Sequence, residues 1–486
     1  MFPETFLIAG LAQVALAQIT AVPPAVGAGY IYPQTNTFAS NFTFTSAQIA
    51  AANLSARAAH NAEVALNFER TNYAGGLSVA DDPFYDIPAS FNQANPPPPG
   101  TIIKLEPFTN TSQYTLPPSV TMSRFLYTTE TLNGTSIPAS AYILWPYVPK
   151  QFPGLKSCSG NRSSVFPVVG LAHGTSGQTP ECAPSHIRNL WDEFHEPFPL
   201  ALSGYAVVAP DYAGLGVADI PSPYFVLPSQ ANDLFHAVAA AQKAFPDALS
   251  EEFVLMGQSQ GGGVAWSAAQ RQAQRPVSGY LGTVAASPFT DIMGSILADP
   301  QSQNNVRVTG IAQGLDSVLP SFKLSDWITD AGIARRALLT EIGGCGTTAG
   351  QLIGDDVPIL KDGWNVTAAA KWYFNVSDNG GKEFAGPLLV LQGDTDGNAN
   401  VKVTAKAVNQ TCQMFPKNSL HYIQYAGISH VPVLYSSQHT WLDWIADRFN
   451  GKRAQPGCVQ EMATPVRGVS NGAGQDWFIE YDVYGI

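Results

Sequence analysis

A serine in the segment Phe253–Ala265 has the sequence surroundings of a catalytic nucleophile. The apolar run that opens the segment is typical of a buried strand, and the residues from Gly263 to about Gln274 predict a helix. Between them lies Gly257-Gln-Ser-Gln-Gly261, a G-x-S-x-G pattern whose two glycines remove the Cβ atoms that would collide in a tight turn. This order of strand, turn and helix predicts that Ser259 stands at the end of a sheet, ready to attack a carbonyl carbon.

A serine hydroxyl is a weak nucleophile unless a base accepts its proton and a carboxylate orients that base. Two aspartates, Asp394 and Asp396, follow the apolar run Pro387–Gln392, and His430 follows the run Leu420–Tyr425. The carboxyl ends of parallel strands meet at one edge of a sheet, so these groups should lie near the serine. The chain order Ser, Asp, His is also that of α/β-hydrolases.

We predict Asp396 rather than Asp394 as the orienting acid, because the spacing from Gly393 leaves room for the chain to turn and present the carboxylate. Asp394 is the alternative, and an aspartate in such a turn can also do no more than bond loop amides. His430 is preferred to His439 as the base, because His439 falls inside a predicted closing helix from about Ser437 to Phe449.

Backbone amides are predicted to stabilise the negative charge that develops on the carbonyl oxygen. One is the amide of Gln260, the residue after the nucleophile, and the second comes from the loop His173-Gly174-Thr175, at Gly174 or Thr175. We expect His173 itself to orient or pack. Asp211 ends a strand that precedes the nucleophile, and we expect it to be structural.

Apolar runs alternate with helical segments through the middle of the chain, which is typical of a mainly parallel sheet with helices on both faces. Asn232–Phe245 predicts one of the helices, with Asn232 as its N-cap. Residues 287–386 have helical character and no strong strand, which predicts a cap inserted before the acid-bearing strand. The predicted strands, apart from the one before Ser259, are Thr101–Leu105, Ser123–Tyr127, Ala139–Trp145, Val165–Ala172, Tyr205–Asp211, Tyr280–Ala286, Pro387–Gln392 and Leu420–Tyr425.

The chain therefore divides into five predicted parts: a signal peptide (1–17), an N-terminal wrap (18–100), the first part of the core (101–286), the helical cap (287–386) and the second part of the core (387–486). The signal peptide is indicated by a short apolar run that ends in Ala15-Leu16-Ala17, although the run has no basic residues before it. It is too short to span a bilayer, and no later run reaches the ~20 apolar residues that a span needs.

Charge and motif content bear on the partners, the cofactors and the compartment of the protein. The net charge of −12 and the lack of a dense Lys/Arg cluster argue against a nucleic-acid partner. Neither histidine nor cysteine spacing indicates a metal site, and no G-x-G-x-x-G follows the first strand. Eight N-x-S/T sequons predict a glycosylated extracellular protein: Asn41, Asn53, Asn110, Asn133, Asn161, Asn365, Asn375 and Asn409.

The order and spacing of several motifs resemble the fungal secretory lipases, the lipase A type of capped α/β-hydrolase. The resemblance implies Ser259, Asp396 and His430 as the triad, with oxyanion amides at Gly174 and Gln260. The motifs are Asp82-Pro-Phe-Tyr85, Pro99-Gly-Thr-Ile102, His173-Gly-Thr175, Glu181-Cys-Ala-Pro-Ser185, Gly257-Gln-Ser-Gln-Gly261, Gly393-Asp-Thr-Asp396 and Gly427-Ile-Ser-His430.

The same resemblance implies disulfides. Cys412 and Cys458 match a C-terminal bridge of the family, and Cys182 with Cys345 would tie the loop after His173 to the cap. Cys158 would then be left over. The spacing leaves a Cys158–Cys182 pair open as the alternative.

We expect a secreted serine hydrolase that cleaves carboxylic esters of lipids or other small molecules through an acyl-enzyme. No cofactor, nucleic-acid partner or transmembrane segment is expected, and a monomer is favoured. Three alternatives use the same fold: a serine peptidase or aminopeptidase, an acyltransferase to an alcohol other than water, and a non-catalytic binding protein. Substrate choice is expected to lie in the cap.

Overall fold

The computed structural model describes residues 40–160, 165–191, 194–298, 304–354 and 356–468. The predicted signal peptide at 1–17 and the sequon at Asn161 lie outside these residues. The described chain forms a ten-stranded sheet with the order β1-β2-β3-β5-β4-β6-β7-β8-β9-β10. The strands are β1 Ile102–Glu106, β2 Thr121–Glu130, β3 Ser136–Trp145, β4 Phe166–Ala172, β5 Ala206–Pro210, β6 Leu249–Gln258, β7 Tyr280–Ala286, β8 Leu388–Gly393, β9 Leu420–Tyr425 and β10 Cys458–Ala463.

The direction of the strands divides the sheet into two parts. Strands β1, β2 and β3 pair antiparallel, and β3 pairs antiparallel with β5. From β5 to β10 every neighbouring pair is parallel, so the carboxyl ends of seven strands lie at one edge. The predicted fold, a mainly parallel α/β sheet, is confirmed.

Helices cover both faces of the sheet. Successive side chains of a strand point to opposite faces, and because both kinds are apolar here, each face must be buried. On one face, Val168 and Leu255 join a core that includes residues of the helices Leu227–Ala244 and Gln260–Gln274. On the other, their neighbours Val169 and Val254 join a core that includes Trp441. The helices outside residues 287–386 are α1 Ser46–Ala51, α2 Ala56–Thr71, α3 Pro197–Leu202, α4 Leu227–Ala244, α5 Gln260–Gln274, α11 Val401–Met414, α12 Pro432–Ser436 and α13 Gln438–Phe449.

Residues 287–386 connect β7 to β8 and, in their described part, contribute helices and no strand of the sheet. We call this segment the cap. Its α-helices are α6 Ile292–Ala298, α7 Asn304–Val318, α8 Asp330–Ile342, α9 Gly346–Leu352 and α10 Ala368–Ser377. Residues of α6, α7 and α10 join the core on one face of the sheet, as expected for an insertion that packs over the strand ends.

The N-terminal segment, which the sequence predicts to be a wrap, packs against the cap. Leu54 and Leu66, from the region of α1 and α2, form a hydrophobic cluster with Leu338, Leu339 and Leu352 of the cap. Burying such side chains is worth roughly 1.5–3 kcal/mol each, so the two segments stabilise one another. The N-terminal helices therefore support the cap.

Apart from shifts at strand ends, two helix starts and one strand differ from the sequence-based prediction. Helix α4 begins at Leu227, so Asn232 lies inside the helix, where its Oδ1 accepts a hydrogen bond from Arg271 Nε (2.6 Å) rather than capping. The helix after the nucleophile begins at Gln260 rather than Gly263. Strand β10 was not predicted, because its exposed polar residues give it no apolar run.

No helix in the described part of the chain is both long and apolar enough to cross a bilayer.

Candidate active site

Ser259 stands at the junction of β6 and α5 in a strained backbone conformation. Its φ of 60° and ψ of −121° lie in a region that side chains other than glycine rarely adopt. The Ser259 amide donates to Ala286 O on β7 (3.0 Å), which fixes the turn against the neighbouring strand. The turn is also tight: a Cβ on Gly261 would lie 1.8 Å from Ala172 O, and one on Gly257 would lie 2.4 Å from Gly261 O. Both glycines are therefore sterically required.

Three side chains from three strand ends form one hydrogen-bonded line. His430 Nε2 lies 2.8 Å from Ser259 Oγ, and His430 Nδ1 lies 2.8 Å from Asp396 Oδ2. His430 and Asp396 are 5% and 4% exposed, whereas Ser259 is half-buried and open to approach. A neutral imidazole that donates Nδ1–H to Asp396 presents Nε2 as a base to the serine.

The carboxylate of Asp396 is held by four donors. Oδ1 accepts from the amides of Asn398 and Ala399, both at 2.9 Å. Oδ2 accepts from Gln392 Nε2 (2.6 Å) as well as from His430. These donors fix the carboxylate in place facing the imidazole.

The alternatives to these residues have other roles. Asp394 Oδ1 accepts from the amide of Gly427 (2.6 Å), which joins the loops after β8 and β9. His439 is exposed on α13. Asp211 is fully buried and accepts from the hydroxyls of Ser140 and Ser185, both at 2.6 Å, so it holds loops together.

Two further histidines near the strand ends stay neutral because they are buried. Burial lowers the pKa of His173 to about 4, and the ring stacks on Tyr212 with centroids 4.2 Å apart. Burial, with a smaller contribution from the charge of His430, lowers the pKa of His195 to about 3. Neither therefore adds a positive charge that would make His430 a weaker base.

The loop from His173 to Thr179 follows β4 and lies beside the nucleophile; we call it the β4 loop. Thr175 Oγ1 donates to the side-chain oxygen of Gln260 (2.7 Å), so the loop is bonded to the residue after Ser259. Tyr224 OH lies 3.3 Å from the same hydroxyl. The two predicted oxyanion segments, at Gly174 and Gln260, are thereby held side by side.

The β4 loop and the residues just after it are also joined to the cap. Cys182 forms a disulfide with Cys345, with Cα atoms 5.5 Å apart. The Gly346 amide donates to Ser176 O (3.1 Å), and Thr179 Oγ1 donates to Gly344 O (3.3 Å). The second disulfide joins Cys412 to Cys458, and Cys158 has a free thiol in this structure.

Several residues around the site were not singled out from the sequence. Gln392 bonds Asp396, and its position as the last apolar-run residue before Gly393 was the available signal. Gln178 of the β4 loop forms a buried polar group with Tyr224 and Arg336. Nothing in the local pattern marks them, because Gln178 and Arg336 are 158 residues apart in the chain.

Among the residues that the structure describes, no group of three or more His, Cys, Asp or Glu side chains is arranged to hold a metal ion. Six of the seven described sequon asparagines are exposed and Asn365 is half-buried.

Comparison with known proteins assigns a family. A model of the family described as "Secretory lipase" matches residues 197–457, more than half of the chain. Lipase 5 of Candida albicans is 25% identical over 308 residues, covering 57% of this chain and 64% of that protein. Lipase 4 of the same yeast is 24% identical over 311 residues, covering 58% and 66%. The aligned region thus spans just under two thirds of each curated relative.

Solved structures share the fold. Candida antarctica lipase A in its closed state superposes with a TM-score of 0.61 at 14% identity, covering 80% of this chain and 92% of that one. The rice cell wall degrading esterase LipA from Xanthomonas oryzae gives 0.56 at 17% identity, covering 74% and 100%. The family match confirms the resemblance inferred from the motifs: the chain belongs to the secretory lipase family.

Proposed function

We propose that this protein is a secreted serine hydrolase of carboxylic esters, with Ser259 as nucleophile, His430 as general base and Asp396 as the orienting acid. The observation that carries the proposal is the hydrogen-bonded line through His430, at 2.8 Å on both sides of the imidazole. Family membership supports an ester as the substrate, and lipid esters are the substrate class we propose.

In the proposed reaction, Ser259 Oγ attacks the ester carbonyl carbon while its proton passes to His430 Nε2. The negative oxygen of the tetrahedral intermediate accepts hydrogen bonds from the amide of Gln260 and from that of Gly174 or Thr175. The C–O bond to the alcohol then breaks, and the alcohol leaves with the proton from His430. Water, deprotonated by His430, attacks the acyl-serine and releases the acid in the same way.

Ester hydrolysis by Ser259→Ala tests the proposal. We expect kcat to fall by roughly 10^4- to 10^6-fold, because no other group on the line can form the acyl-enzyme. Ser267→Ala is the matched control, since Ser267 lies two turns further along the same helix, and it should keep wild-type kcat. Near-wild-type activity in Ser259→Ala would overturn the triad assignment.

A substrate panel separates the proposal from its alternatives. We expect turnover of acyl esters of glycerol or p-nitrophenol and none of aminoacyl or peptidyl amides, which a peptidase would cleave. Product analysis with added alcohol separates hydrolysis from acyl transfer. Labelling of Ser259 by a fluorophosphonate requires an activated serine, so a protein that stays unlabelled would favour a binding role.

We also propose export and glycosylation. The A-x-A pattern before Gln18 and the family description support export, and the exposure of six described sequons supports glycan attachment. Secretion of the full chain by a fungal host, with a mass shift on treatment with an endoglycosidase, is the expected result.

A further inference from the structure

Arg336 on α8 of the cap is a buried cation. It is 3% exposed, and no carboxylate in the described part of the chain forms an ion pair with it. Burial lowers its pKa to about 10, so the guanidinium is still charged at neutral pH. A buried charge without a counter-charge costs several kcal/mol unless strong hydrogen bonds offset it. Such a group therefore requires an explanation.

The one described hydrogen bond of the Arg336 side chain runs to the β4 loop. Its Nη1 donates to Gln178 Oε1, a bond between a cation and an amide oxygen in a dry environment. The Gln178 side chain also lies against α7, where its Nε2 is 3.5 Å from Val306 O. Gly310 makes room for it, since a Cβ there would lie 2.2 Å from Gln178 Nε2. Two cap helices thus enclose one loop side chain.

The adjacent residue Arg335 shows that this placement is specific to Arg336. Arg335 is also buried, but it turns away from the β4 loop and forms an ion pair with Asp356. Its other donors reach the carbonyl oxygens of Ala52, Asn53 and Leu352. Arg335 therefore joins the cap to the N-terminal segment, while Arg336 joins it to the loop beside Ser259.

We propose that Arg336 is a positioning residue for the reaction: through Gln178 it fixes the β4 loop, and with it the loop amide that would stabilise the oxyanion. The inference rests on the proposed function. At its other end the loop is bonded to Gln260 through Thr175, so a shift at Gln178 moves the donor set relative to Ser259. The cap would then complete the catalytic site as well as cover it.

The main test compares Arg336→Met with Arg335→Met in steady-state hydrolysis of p-nitrophenyl butyrate. Displacing an oxyanion donor weakens transition-state binding without weakening ground-state binding. We expect Arg336→Met to lower kcat roughly ten- to a hundredfold with KM within about threefold. Arg335→Met should lower the melting temperature at least as much but keep kcat within about twofold of wild type. Equal kcat in the two variants would overturn the inference.

A transition-state analogue supplies a second readout that loss of stability alone would not move. The inhibition constant of a trifluoromethyl ketone, whose adduct with Ser259 places an oxyanion in the site, should rise by about the same factor as kcat falls. Arg336→Lys keeps the charge and can still donate a hydrogen bond, so it should recover part of the lost kcat and part of the lost inhibitor affinity. An unchanged inhibition constant in Arg336→Met would contradict a role at the oxyanion.

Gly310→Ala keeps the test usable if Arg336→Met does not fold. The added methyl would displace Gln178 while leaving Arg336 in place, and alanine is the better helix former. We expect the same loss of kcat and of inhibitor affinity in a folded protein, and wild-type values would overturn the inference. Ser259→Ala separates the two proposals. If Ser259→Ala stays active, the proposed function fails. If Ser259→Ala is inactive and Gly310→Ala is fully active, only the role of Arg336 is refuted.

Discussion

The four hydrogen bonds of Asp396 predict what Asp396→Asn will do, because an amide has only one acceptor oxygen. If the new oxygen faces His430, the NH2 group faces the amides of Asn398 and Ala399, and two buried donors lose their acceptor. If the oxygen faces those amides, the NH2 group faces His430 and Gln392. The imidazole can then change tautomer and accept from the NH2 group at Nδ1, so that only the Gln392 donor is left unmatched. Each unmatched buried donor costs about 1–3 kcal/mol, so the second arrangement should win.

The favoured arrangement puts the imidazole proton on Nε2, which then donates to Ser259 instead of accepting from it. We expect kcat to fall by roughly 10^3- to 10^4-fold, about 4–5.5 kcal/mol of activation free energy, as in other triads with the wrong tautomer. The free energy of unfolding should fall by only about 1–3 kcal/mol, since a single donor is lost. Ester hydrolysis and urea denaturation of the same preparation measure both quantities.

Asp394→Asn is the matched control, because Asp394 accepts one hydrogen bond from Gly427 through one oxygen and an asparagine can accept the same bond. It should keep kcat within about twofold of wild type and lose less than about 1 kcal/mol of stability. The reasoning is refuted if Asp394→Asn loses more activity than Asp396→Asn, or if Asp396→Asn keeps a tenth or more of wild-type kcat.

Two further predictions concern stability. Gly261→Ala places a methyl carbon 1.8 Å from Ala172 O, so we expect the free energy of unfolding, measured by urea denaturation, to fall by at least about 1–3 kcal/mol. Gly350→Ala is the control: the space around its new Cβ is open, so it should be neutral or slightly stabilising, and equal effects in the two variants would contradict the close contact beside Ser259. The second prediction concerns His173, whose pKa burial lowers to about 4 from an ordinary value near 6.5. As pH falls, the unfolded chain therefore binds a proton at this histidine before the folded chain does. The free energy of unfolding should decrease between about pH 6.5 and about pH 4, by up to about 1.4 kcal/mol per pH unit for this group. Urea denaturation at several pH values measures this slope, and His173→Gln should reduce it; an unchanged slope would show that His173 is not the group responsible.

The sequence predicts the parts of this molecule that depend on local pattern. The apolar strands, the tight turn at Ser259 and the positions of Asp396 and His430 after strands all follow from residue type and spacing, because each strand must bury its side chains and the parallel strand ends must meet. The preference for Asp396 over Asp394 was a prediction of the same kind. What distinguishes the two in the structure is the Gly427 amide on the next loop, which engages Asp394 and which no local pattern shows.

The remaining features depend on contacts between distant segments. The packing of Leu54 and Leu66 against Leu338 and Leu352 could not be predicted, because an apolar stripe on a helix does not say which partner covers it. The same holds for Arg336, whose sequence neighbours are unremarkable for a helix. The N-cap prediction at Asn232 failed for a related reason: an asparagine that is suited to a helix start can equally bond a distant arginine.

The cluster shared by the N-terminal helices and the cap bears on how this protein could be recombined with its relatives. Glu69 on α2 accepts from the amides of Cys345 and Thr348, at 2.8 and 2.9 Å, and so caps the start of α9. A chimera that exchanges residues 287–386 alone would leave this carboxylate, and the apolar surface of the N-terminal helices, without the partners that they have here. The smallest exchangeable unit is therefore discontinuous: the cap can be exchanged without breaking these contacts only if α1 and α2 are exchanged with it.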